Sequence, residues 1–250
     1  MLCVRVFDVV LSPLGRCMST GYSDRINHAL AFAAKHHDQQ VRKGTRLPYL
    51  THPANVAIIL TRYGQDEETI VAGILHDVIE DCVRDGYTRE MLESRIADKF
   101  GHDVLATVLA VTNRKLDDDG IELSSDERKE DYLARLAQAS DRARWVCAAD
   151  KVHNASTIVA DLKRTDYPET VWGRFHVGRE GTIRWYRRVH DRLREVGFDA
   201  PIMRELDNVA RALELWERNN QLDAEASRRP LESAPDHVGD RIGHPPSANY

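Results

Sequence analysis

Cysteine is scarce in this 250-residue chain, and the four present (Cys3, Cys17, Cys82 and Cys147) form no C-x-x-C pair. That scatter excludes a zinc knuckle or a disulfide framework and reads as reduced thiols. Also missing is any apolar run long enough to span a bilayer. A cationic excess is lacking too, since 35 Lys and Arg stand against 40 Asp and Glu, a formal net charge of −5. Nonspecific hold on nucleic acid or on an anionic membrane needs the opposite sign, so neither is an expected partner. A local basic pocket for one small phosphorylated ligand stays compatible with that balance. Leu2 to Leu11 is fairly apolar, but Asp8 interrupts it and no small-residue cleavage site follows, which makes a poor secretory signal. A cytoplasmic protein is expected.

What is there is ordinary for a globular protein: 42% hydrophobic and 30% charged residues, enough for a sizeable core. Almost every strong periodicity is helical. Ile26, Leu30 and Ala33 form one stripe behind Ser23, a candidate N-cap. Further helices are expected from Pro53 to about Arg62, Glu67 to Glu80, Arg89 to Phe100 and His102 to Thr112. Asn113 to Asp126 is polar, acidic at Asp117 to Asp119 and broken by Gly120, so it reads as a mobile surface loop. Ser124 and Glu127 then make a capping-box pattern ahead of a helix from about Asp126 to Ala139. Others follow from Ala143 to Arg164, from Glu169 to Val196 with an interruption around Gly178 to Gly181, and from Ile202 to Asn219. No internal repeat or β-hairpin emerges, and the expected architecture is a single all-α domain. The expected organisation is a flexible extension over residues 1–20, a folded domain over 21–221 and a disordered tail over 222–250. Met18 also leaves open that the first 17 residues are a mis-assigned start.

The residues that carry chemistry are His52, the adjacent pair His76 and Asp77, and Asp150. Asp150 follows Ala148 and Ala149 within the apolar run that begins at Trp145, so its carboxylate is expected to be partly buried and to need a partner or a metal. Two imidazoles and two carboxylates suit an octahedral divalent ion such as Mn²⁺. Glu80 lies four residues after His76 and Asp81 four after Asp77, each about one turn beyond a candidate ligand. From there they can orient an attacking water or move protons without holding the ion themselves. Asn154 and Thr157 continue the Asp150 face of the helix.

Three segments resemble the hydrolase domain of the RelA/SpoT-type alarmone enzymes, a branch of the HD superfamily of metal-dependent phosphohydrolases. They are Arg42-Lys43 with Pro48 to Pro53, Leu75 to Asp81, and Ala149 to Asn154. Their order and intervals match over residues 22–197, roughly 70% of the chain. The resemblance implies an HD-domain helical bundle in which His52, His76, Asp77 and Asp150 bind one Mn²⁺ while Glu80 and Asp81 serve the water. It also implies that Arg42 packs on the purine, Lys43 meets phosphate and Asn154 contacts the ribose or its phosphate. The implied reaction removes pyrophosphate from the 3′ position of ppGpp. The residues after Arg194 are too few for a synthetase domain, so the chain is expected to be hydrolase-only, like the small alarmone hydrolases.

Two departures fall near the implied substrate. Ser156 stands where many relatives have arginine, and Asn113 where a lysine is common, followed here by Arg114 and Lys115. They leave base preference open, including adenine alarmones or another nucleotide. A catalytically silent nucleotide sensor is a further reading, against which the intact Glu80 and Asp81 count. The expected partner is a small nucleotide, and a homo-oligomer is compatible with the sequence. The remaining histidines read as structural: His153 fits a helix face, and His102 a surface position at a helix start. Phe175 and Tyr186 read as packing residues.

Overall fold

A computed structural model of the protein describes residues 22–84 and 86–228, the side chains of 217–228 excepted. Residues 1–21 and 229–250, which include the expected N-terminal extension and most of the expected tail, lie outside the described residues. Among the described residues eleven helices follow one another: α1 (Asp24–His36), α2 (Thr51–Arg62), α3 (Glu67–Leu75), α4 (Val78–Asp81), α5 (Arg89–Phe100), α6 (His102–Val111), α7 (Ser125–Gln138), α8 (Asp141–Arg164), α9 (Pro168–Trp172), α10 (Gly178–Glu195) and α11 (Ile202–Arg228). Among the described residues there is no strand, only isolated bridges such as Val41 with Pro48. None of the described helices is long and apolar enough to cross a membrane. One compact unit ends at Glu214; of the second, starting at Leu215, the described part continues α11 to Arg228. That helix runs past residue 222, where Ala224, Glu225 and Ala226 are strong helix formers.

α3 is the central helix. Every residue from Thr69 to Leu75 is buried, and the helix packs against α1, α2, α6 and α8. Gly73 is what lets α2 close on it: a Cβ at that position would stand 2.5 Å from Leu60 Cδ1. α8 brings a second buried face, from Ala143 through Val146 to Asp150, against α2, α3 and α6. The caps agree with the sequence. Ser23 accepts from the Ile26 N–H, and Ser124 with Glu127 forms the complete capping box of α7.

The expected single helix from Glu67 to Glu80 is two helices instead. The break falls at His76 and Asp77, where the His76 ring takes the Gly73 carbonyl at 2.8 Å, a carbonyl that a continuing helix would use for its own ladder. The interruption expected around Gly178 to Gly181 in the Glu169 to Val196 stretch falls earlier, with turns through 173–177 separating α9 from α10. The 113–126 segment has a defined hydrogen-bonded form. The Leu123 N–H donates to Lys115 O at 2.9 Å, and Asp117 Oδ1 accepts from the backbone of Asp119 and Ile121. Cys82 and Cys147 are buried free thiols, and burial raises both, to about 12 and about 11.

Candidate active site

Three elements deliver one cluster. His52 enters from the first turn of α2, His76 and Asp77 from the break between α3 and α4, and Asp150 from the middle of α8. His52, His76 and Asp150 are buried, and each offers a ligand atom within 4.8 Å of the others. His52 Nε2 lies 3.3 Å from His76 Nε2 and 3.2 Å from Asp150 Oδ1. Asp77 sits outside that compact trio but against it, with Oδ1 at 3.1 Å from His76 Nε2 and Oδ2 at 3.4 Å from His52 Nε2.

The outer atoms of these residues are fixed by other partners. His76 Nδ1–H donates to Gly73 O, which turns Nε2 inward. His52 Nδ1 lies 2.8 Å from Nδ1 of His153, a ring that burial holds down to about 4 and therefore neutral. With Nδ1 turned to His153, His52 also presents Nε2 to the interior of the cluster. Tyr49 donates its hydroxyl to Asp77 Oδ2 at 2.6 Å. Burial, then the Asp77 charge, raises the Tyr49 phenol, so it remains a donor. Asp150 accepts from Lys151 Nζ at 2.6 Å and from Asn154 Nδ2.

The charges favour a cation at the centre. Burial opposes the ionised Asp150, but Lys151 and His52 outweigh it and hold the carboxyl well below the usual range. Burial likewise opposes ionised Asp77, and the neighbouring His76 holds it low. Burial pulls His76 down, and Asp77 with Asp150 overrides this to lift it to about 9. Two fixed anions facing two inward imidazole nitrogens fit a divalent ion of nitrogen and oxygen preference. The donor set therefore suits the expected metal.

Glu80 and Asp81 stand at the border of this cluster. Burial, then the charge of Asp77, raises the Glu80 carboxyl, whose oxygens accept from Asn113 N at 2.9 Å and Asn113 Nδ2 at 3.0 Å. Asp81 opens toward solvent, yet lost hydration inside the cleft, then Asp77, raises it as well. All of these border a cavity of about 520 Å³. Arg42 and Lys43 line it, and Arg42 Nη2 donates to Asn154 Oδ1 at 2.8 Å while resting over the Tyr49 ring. Each sequence-expected site residue except His52 thus borders one cavity, and His52 lies directly behind it. A larger surface hollow of about 800 Å³ beside Arg187, Met203 and Arg211 contains none of the cluster.

Several participants were not singled out from the sequence. Tyr49 and Lys151 were letters of a motif, with no role attached. His153 holds His52 rather than merely facing a helix neighbour. Phe175 and Tyr186 border the cavity as well as packing, and Arg174 joins them from the turn after α9. Ser156 is exposed and does not border the cavity, while Arg114 turns away to Asp118 and Asp131. His102 is exposed at the start of α6.

Residues 29–175 match the HD domain family. The chain is 32% identical over 197 residues to the guanosine-3′,5′-bis(diphosphate) 3′-pyrophosphohydrolase MESH1 of Drosophila melanogaster, which spans 78% of this chain and 97% of that protein. It is 36% identical over 138 residues to a GTP pyrophosphokinase of Myxococcus xanthus, covering 54% of this chain but only 17% of that much longer protein. Among solved structures, a metazoan ortholog of SpoT described as hydrolysing ppGpp superposes with a TM-score of 0.57 and 30% identity. That match covers 77% of this chain and 97% of the other.

Proposed function

Because the chain belongs to the HD domain family, we propose that it is a phosphohydrolase that cleaves the 3′-pyrophosphate of ppGpp, giving GDP and pyrophosphate. The observation that carries this reading is the convergence of His52, His76, Asp77 and Asp150 beside Glu80 and Asp81 at the floor of a nucleotide-sized cavity. The four former residues would hold one divalent ion, for which we propose Mn²⁺. Such an ion supplies Lewis acidity, easing deprotonation of water and neutralising charge on the phosphate oxygens.

The chain's own groups do the rest. Glu80, held by Asn113 and with its carboxyl raised by burial and by Asp77, receives the proton of the attacking water. Asp81 lies one residue further toward the open side and relays that proton outward. Lys151 keeps Asp150 ionised and pointed at the centre. Arg42, steadied by Asn154 and Tyr49, presents a planar guanidinium to the base, and Lys43 and Asn154 meet phosphate and ribose. The Tyr49, His153 and Gly73 contacts keep the ligand atoms aimed before substrate arrives, which lowers the reorganisation needed during reaction. We place this chemistry in the cytoplasm.

The test is release of pyrophosphate and GDP from ppGpp by the purified protein with Mn²⁺, Mg²⁺ or Zn²⁺, using His76→Ala/Asp77→Ala as control. Release that needs Mn²⁺ and disappears in the control supports the proposal. Bound metal without release from ppGpp would move the search to other phosphorylated nucleotides.

A further inference from the structure

The catalytic cluster occupies one end of a long cleft, and the opposite end is cationic. α8 lines the cleft from Asp150 to Arg164, about 14 residues or roughly 21 Å at the rise of an α-helix. The near end is acidic, with Asp77, Glu80 and Asp81. At the far end stand Lys43, Arg164 and Arg174, with Asp161 as the carboxylate among them.

Arg174 is built in rather than draped over the surface. Its Nη1 donates to Asp161 Oδ2 at 2.5 Å, and its side chain is only 22% exposed. The same guanidinium lies across Gly44, where a Cβ would stand 2.1 Å from Nε; with φ at +73° the position suits glycine on both counts. Arg174 thus ties α8 to the loop that carries Arg42 and Lys43. A guanidinium held this way loses little freedom on meeting an anion, and its other N–H groups remain for one. Asp161 offsets one of the three positive charges and leaves the far end net cationic.

The substrate of the reading above carries a diphosphate on each side of its ribose, and only the 3′ one reacts. One metal cluster holds one end, and the acidic neighbours there repel the other. Resting on that reading, we propose that Lys43, Arg164 and Arg174 form an anion subsite that seats the unreacted 5′-diphosphate and so decides which end of the nucleotide meets the metal cluster.

Calorimetric titration of the full chain, loaded with Mn²⁺, with GDP and separately with guanosine tests this without turnover. The expected result is tighter binding of GDP than of guanosine, an advantage that Arg164→Gln or Arg174→Gln each lowers about tenfold or more. Arg174→Lys should restore part of it. In turnover, the preference for ppGpp over guanosine 3′-diphosphate should fall by a similar factor. GDP binding no tighter than guanosine, or an advantage that ignores both arginines, overturns the subsite. Equal weakening of GDP and guanosine by Arg174→Gln also overturns it, since the arginine would then only brace the loop at Gly44. Should the wild-type chain release no pyrophosphate from ppGpp while its GDP advantage still depends on the arginines, the proposed reaction fails and the subsite stands.

Discussion

Asn113 grips Glu80 with both its backbone N–H, 2.9 Å from Oε2, and its side-chain amide, 3.0 Å from Oε1. The residue that looked like a departure from the related enzymes therefore positions the expected proton acceptor.

Replacing Asn113 by Ala removes the amide and leaves the backbone donor. One hydrogen bond to a charged group is worth about 1.5–3 kcal/mol, so kcat for pyrophosphate release should fall on the order of 10-fold to 100-fold. Glu80→Gln should cost more, about 10²-fold to 10⁴-fold, as loss of a proton acceptor does. Single-turnover rates with the metal content verified give the comparison. An Asn113→Ala enzyme as fast as wild type would remove Asn113 from the mechanism.

Asp150 and Lys151 are a buried pair with side chains 10% and 13% exposed. Asp150→Ala should abolish metal binding and also leave a buried ammonium unpaired, destabilising the fold by about 3–5 kcal/mol. Asp77→Ala should lose activity with much less effect on stability, because its removal strands no buried lysine. Adding Lys151→Met to Asp150→Ala should recover most of the stability and none of the turnover. Urea midpoints and metal analysis of the three proteins decide it; a double variant no more stable than Asp150→Ala would sink the argument.

The Tyr49 hydroxyl donates to Asp77 Oδ2 at 2.6 Å. Tyr49→Phe should leave the fold intact and weaken metal affinity about 10-fold to 100-fold, the usual result of losing an outer hydrogen bond to a ligand. Competition with a chelator measures this directly.

His36 is 1% exposed, lies against Phe32 and Tyr87, and has a buried Nδ1 without a partner among the described residues. Burial first, then the nearby positive charges led by Arg95, hold it down to about 4 from an ordinary 6.5. The unfolded chain therefore binds the extra proton between those values. Stability contributed by the neutral ring is complete above pH 6.5 and is lost as pH falls toward 4. At pH 5 the loss is on the order of 2 kcal/mol. His36→Phe should flatten the pH dependence of the urea midpoint between pH 7 and 5 relative to wild type. Parallel curves for the two proteins would contradict it.

The proposed metal ligands were legible in the sequence because each lay in a short segment whose chemistry restricts its neighbours: Tyr49-Leu50-Thr51-His52, Leu75-His76-Asp77 and Ala149-Asp150-Lys151. The helix break at His76 was not legible, since Ile74, Leu75, Val78 and Ile79 maintain an apolar run across it. Nor was the work of Asn113, Arg174 or His153. Each acts through a partner distant in sequence, respectively Glu80, Gly44 with Asp161, and His52. Periodicity reports which face of an element is buried and says nothing about which distant side chain it meets there.

The Gly73 contact has a consequence for loss of the ion. His76 is anchored through its ring to Gly73 O, and Gly73 is pressed against Leu60 within the most deeply buried helix of the molecule. Segments of that kind open only when most of the domain does. The jaws of the site are thus part of its foundation. Without the proposed ion His76 is expected to keep its place, so that loading would be a matter of coordination chemistry rather than refolding.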